Sequence, residues 1–99
     1  RILPTARERG IAVIVNRPFR ECDLVRTIMR APLPAWAGEI GAKSWAQIIL
    51  KFILANPAVT CVIPATTRVD HVQENVAAAR DPLPDAAMRA RIIAHVEKI

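Results

Sequence analysis

Ninety-nine residues suffice for one small domain with one core and leave no room for two independently folded units. Hydrophobic residues at 53% against 23% charged exclude the composition of a disordered segment. The net charge of +5 raises the question of a nucleic-acid partner, but Arg17, Arg26, Lys43, Lys51, Arg68 and Arg89 are spread along the chain with acids between them, a solvated basic surface rather than a patch.

Residues Thr5 to Gly10 carry helix-favouring side chains and end on a glycine, which predicts the tail of a helix. The apolar run Ile11 to Val15 follows, bounded by Gly10 and the polar Asn16-Arg17-Pro18, and predicts a strand buried on both faces, as in a parallel sheet covered by helices. Arg20 to Pro34 is a long connection in which Leu24, Val25 and Ile28 support one or two helical turns before Pro32-Leu33-Pro34 breaks them. A short helix is expected from Pro34 to Ile40, ended by Gly41. The clearest helix spans Ser44 to Asn56, where Trp45, Ile48, Ile49, Phe52 and Ile53 form one apolar stripe.

Val59 to Ile63 has the β-branched content of a second strand and ends at Pro64. Thr67-x-x-Asp70 resembles a capping arrangement ahead of a helix from about Arg68 to Ala79, striped by Val69, Val72 and Val76. After the turn Asp81-Pro82-Leu83-Pro84, the spacing of Met88, Ile92, Val96 and Ile99 predicts a last amphipathic helix. Trp36, Trp45, Met29, Met88 and His95 read as packing residues.

The fold class is therefore α/β, mostly helical with two short strands, and residues 1–99 form a single piece. Strands joined by a long helical crossover imply a parallel pair, and two such strands leave both outer edges without partners. Arg1-Ile2-Leu3-Pro4 has neither initiator Met nor signal core, so the chain is expected to come from within a longer protein. Cys22 and Cys61 make no metal spacing and no disulfide framework, and both are read as reduced, in the cytoplasm; no base accompanies Cys22, which is read as an inert thiol. No apolar stretch is long enough to span a bilayer.

Chemistry is concentrated where the second strand meets the next helix. Backbone N–H groups and the positive end of a helix dipole converge there on the C-terminal edge of a parallel sheet, an arrangement suited to phosphate. Arg68 and His71 lie close enough to add a guanidinium pair and an imidazole hydrogen bond.

The stretch Ile63-Pro64-Ala65-Thr66-Thr67-Arg68-Val69-Asp70-His71-Val72-Gln73-Glu74-Asn75 resembles the cofactor signature of the aldo-keto reductases, Ile-Pro-Lys-Ser followed by an arginine and Glu-Asn. Ile63, Pro64, Glu74 and Asn75 match, Thr66 stands for the serine, and Ala65 and His71 replace the lysine and arginine. Gly10 to Phe19 resembles the seventh strand and its cofactor loop, so the likeness covers nearly the whole chain.

The resemblance implies the C-terminal part of a (β/α)8 TIM barrel, with the two strands as the seventh and eighth and the site at their C-terminal ends. It implies that Thr66 contacts the phosphate on the adenosine ribose and that Glu74 and Asn75 face the adenosine end. Asn16 stands where many members carry a tyrosine that stacks on nicotinamide, and Arg17 and Phe19 fall in the loop that passes the pyrophosphate. The parent would be an NADP-dependent, or NAD-dependent, oxidoreductase acting on a small carbonyl substrate, with Arg68 reading the 2'-phosphate.

The family's catalytic Asp, Tyr, Lys and His come from earlier strands, and this chain has no tyrosine, so no catalytic residue and no metal ligand is assigned. Hydride transfer needs a cofactor, a proton donor and a carbonyl pocket together, and these residues alone need hold no cofactor. The orphaned edges predict self-association. The alternative is a self-associating helical interaction module or a basic nucleic-acid-binding domain. Against the latter, Val59 to Ile63 reads as strand and the helix from Arg68 carries Asp70 and Glu74, which suit phosphate poorly.

Overall fold

The computed structural model describes residues 2–16, 18, 23–64, 68–80 and 82–99, with residues 23–25 described by their backbone alone. The elements run α1 (Ile2–Glu8), β1 (Ile14–Asn16), α2 (Asp23–Arg30), a 3-10 helix (Ala35–Ile40), α3 (Trp45–Leu54), β2 (Cys61–Ile63), α4 (Val69–Ala77) and α5 (Ala86–Glu97). This is the expected order of helix, strand, helices, strand, helix, helix.

Local chemistry sets the boundaries. Ser44 caps α3, its hydroxyl accepting the Gln47 N–H, and Asp85 caps α5 by accepting from Met88. Gly10 and Gly41 take φ values of 67° and 65°, a left-handed backbone that stops α1 and the 3-10 helix as their positions predict. The first helix is longer than Thr5 to Gly10 suggests, because Pro4 falls in its first turn, where a missing N–H costs nothing.

Strands β1 and β2 pair in parallel, Ile14 opposite Cys61, Val15 opposite Val62 and Asn16 opposite Ile63. Just before the register begins, the Val13 N–H donates to the Thr60 hydroxyl at 3.0 Å and the Thr60 N–H returns to the Val13 carbonyl at 2.8 Å. Both strands are shorter than the apolar runs Ile11 to Val15 and Val59 to Ile63, and they are not buried on both faces. Ile14 is 59% exposed and Ile63 49%, since two strands alone cannot cover a second face.

The core lies instead among the helices. Ile28 of α2, Trp36, Ala37 and Ile40 of the 3-10 helix, Trp45 and Ile48 of α3 and Ile92 of α5 form one buried cluster. The two indoles meet edge to face with centroids 6.5 Å apart, and the His95 ring lies 5.6 Å from each. Met88 packs at the margin of this cluster, whereas Met29 is 41% exposed and fills no core. The valine stripe of α4 is likewise open to solvent, and Ile99 lies outside the core.

Helix α3 departs most from the sequence pattern. Trp45 and Ile48 are buried as expected, yet Gln47, Leu50 and Lys51 are buried too, because β2 and α4 pack against a second side of the helix. No helix among the described residues is long and apolar enough to cross a membrane. Ile48 has no exposed surface, so Ile48→Ala is expected to cost about 3 kcal/mol, a large share of the stability of a domain this small. Urea denaturation followed by tryptophan fluorescence measures it; a loss near zero would remove Ile48 from the core.

Candidate functional site

Asn16 ends β1 beside Ile63, and Pro64 leaves β2 next to that pair. The corner bounded by Pro64 on one side and Arg68 and Asn75 of the α4 segment on the other follows the C-terminal end of β2, Asn75 bonding to the Pro64 carbonyl. Of the residues singled out in the sequence, Asn16, Arg68, His71, Glu74 and Asn75 fall in the described part, and Arg17, Phe19 and Thr66 lie outside the described residues, as does Cys22.

Arg68 is the N-cap residue of α4 and makes no capping bond, unlike Ser44 and Asp85 at the heads of α3 and α5. Its guanidinium grips Asp70 in a two-point pair, Nε to one carboxylate oxygen at 3.1 Å and Nη2 to the other at 2.7 Å. Hydrogen bonding to Arg68, aided by its charge, holds the Asp70 carboxyl below its ordinary 3.8. Both side chains are largely exposed, so the pair does little for stability. Asp70 also stands in the first turn of α4, where a carboxylate suits the helix dipole. His71 follows it, half-buried.

Glu74 and Asn75 are neighbours in sequence but face different elements. The Asn75 amide points at the strand end and donates to the Pro64 carbonyl at 3.4 Å. The Glu74 carboxylate accepts from the Ser44 hydroxyl at the head of α3, and the Glu74 carbonyl accepts from Gln47 Nε2 at 3.0 Å. Arg68 and Asn75 thus border the strand-to-helix corner, Asn16 lies across from it on β1, and Glu74 ties α4 to α3.

Sequence reasoning missed Ser44, Gln47 and Lys51 as partners of this corner. The signal was present, since Gln47 and Lys51, four residues apart, interrupt an otherwise apolar helix on one side. An apolar groove of about 400 Å3 between α3, β2 and α4 is lined by Leu50, Leu54, Val62, Val72 and Val76; it lies between the helices, and Thr60 and Asn75 are its polar lining groups. No group of three His, Cys, Asp or Glu among the described residues has the arrangement of a metal site.

The lowered Asp70 carboxyl predicts an ionisation below 3.8, read by carbon-detected NMR titration, that returns toward 3.8 in Arg68→Ala. Because this folded-state value is depressed, the pair's small contribution is present at neutral pH and lost only as pH falls through the Asp70 ionisation. A value unchanged by the substitution would break the assigned pair.

No curated protein matches the sequence. Among solved structures, the holo form of the aldo-keto reductase AKR11C1 from Bacillus halodurans superposes with a TM-score of 0.62 at 22% identity, covering 97% of this chain and 36% of that one. The apo form of the same protein gives 0.62 at 23% identity, covering 96% and 36%. The chain thus spans about a third of the length of the (β/α)8 barrels that it resembles, which accounts for a mostly helical structure with two parallel strands. The aldo/keto reductase family model matches residues 1–96, and on that match the chain belongs to the aldo/keto reductase family.

Proposed function

We propose that residues 1–99 act as one piece, the C-terminal part of an NAD(P)H-dependent aldo-keto reductase, supplying part of the cofactor site and not catalysing alone. The observation that carries this reading is the corner itself. Two parallel strand ends lie side by side, and beyond them α4 presents N–H groups that its N-cap side chain leaves uncapped, with an arginine at that position. In the parent the reduced nicotinamide cofactor would give a hydride to a small aldehyde or ketone, and the oxidised form would take one from the corresponding alcohol.

The residues fit such a group in part. Arg68 offers a planar guanidinium for a phosphate, in competition with Asp70, and His71 and Thr66 stand beside it in the sequence. Asn75 and Glu74 would bound the adenosine end. On β1, Asn16 brings a hydrogen-bonding amide where stacking needs an aromatic ring, so Arg17 and Phe19 in the following loop would carry the pyrophosphate contact. No tyrosine is available as a proton donor, so the proton and the carbonyl pocket must come from other strands. NADP is favoured over NAD because Arg68 can pair with a 2'-phosphate. A cytoplasmic setting goes with this reading, Cys61 being a free, exposed thiol.

In a reductase containing these residues, Arg68→Ala is expected to reduce the preference for NADP over NAD by on the order of tenfold or more, the loss of a charge-assisted pair. Asp70→Asn, which removes the carboxylate that competes for the guanidinium, should tighten binding of adenosine 2',5'-bisphosphate a few-fold in calorimetry. Equal NADP-to-NAD preference in Arg68→Ala and wild type would remove Arg68 from the site.

The open sheet edges, with Ile14 and Ile63 exposed, also lead us to propose that the 99 residues alone self-associate through these strands. Solution scattering should give a mass above 10.9 kDa, and a monodisperse monomer would overturn the idea.

A further inference from the structure

We infer that Gln47 and Lys51 of α3 are positioning residues, holding α4 at two points and thereby setting the strand-to-helix corner at its head. They are the buried polar and charged side chains of the described structure, 5% and 1% exposed. Gln47 Nε2 donates to the Glu74 carbonyl in the middle of α4 at 3.0 Å, and its Oε1 accepts the Lys43 N–H at 2.7 Å. Among the contacts of Lys51, its ammonium donates to the Arg80 carbonyl at 2.6 Å and the Pro82 carbonyl at 3.1 Å, beyond the far end of the same helix.

Apolar burial cannot do this work for α4. No residue from Val69 to Ala77 is buried, and Val69 is 74% exposed and Val76 60%; burial begins only at Ala78, past the last turn. Val72 and Val76 line the groove against α3 and β2 but stay about half exposed, so apolar contact holds the rotation of α4 only weakly, and one residue of slippage turns it by about 100°. Two polar attachments at different heights fix both height and rotation. The carbonyls that Lys51 meets follow the end of α4, where such groups lack helical partners.

Burying an ammonium is costly, and the hydrogen bonds it donates to the Arg80 and Pro82 carbonyls offset that cost; a methionine would fill the same space but leave those carbonyls without this donor. What the ammonium adds is direction. With α4 held, Arg68 at its head and Asn75 at Pro64 keep their places around the corner.

This inference rests on the cofactor reading only in what the corner would bind, so its test needs no ligand. Hydrogen–deuterium exchange mass spectrometry would compare the full chain with Lys51→Met, Lys51→Arg and Gln47→Leu. Exchange across residues 69–77 is expected to rise about tenfold in Lys51→Met and Gln47→Leu while residues 86–97 stay at the wild-type rate. Lys51→Arg, which still donates to carbonyls, should restore protection. Unchanged exchange in 69–77, or an equal rise in 69–77 and 86–97, would reduce both residues to ordinary packing and overturn the inference. Should Lys51→Met fail to fold, Gln47→Leu decides the question by the same comparison. Titration of a reductase containing these residues with adenosine 2',5'-bisphosphate is the separate arm: absence of binding there would count against the cofactor reading and leave the exchange result as it stands.

Discussion

Helix α3 is packed on two sides at once, and the rest of the structure is arranged by that constraint. Trp45 and Ile48 join the helical core with Trp36 and Ile92, and Gln47 and Lys51 reach α4 and the turn after it. The two sides use different forces. Apolar area removed from water holds the core side, and on the other side buried Leu50 is joined by hydrogen bonds from buried donors to backbone carbonyls. Loss of volume is felt on the first, and loss of direction on the second.

The division explains why the strand pair persists although it is exposed. Three residues of each strand pair in register, and the exchange between Val13 and Thr60 adds a side-chain bond at one end. Among the described residues neither strand has a second neighbour, and Ile14 and Ile63, which a closed barrel would shield, are about half exposed. A chain that spans 36% of such a barrel keeps two of its strands without the sheet's own core.

Around the corner, charge is placed with economy. Arg68 is held by Asp70 and does not cap its own helix, so an anion arriving there would meet a guanidinium already nearby at the positive end of α4. Glu74 points away from this place toward Ser44, leaving Asn75 as the member of the Glu-Asn pair that faces the strand end. In the proposed reductase, the adenosine end would be bounded more by Asn75 than by Glu74 unless the bond to Ser44 is released.

By itself the sequence determined the element order, the stops at Gly10 and Gly41, and the apolar side of α3, because each follows from short-range sterics or a period of 3.6 residues. The family likeness was legible for the same reason, being carried by a contiguous run from Ile63 to Asn75. Only the tertiary structure decided that Leu50 is core and Met29 is not, that the valines of α4 lie open, and that Glu74 meets Ser44 thirty residues away. Those outcomes depend on which elements lie against one another, and no local pattern records that: a buried Lys51 looks like any surface lysine until the carbonyls of Arg80 and Pro82 are brought to it.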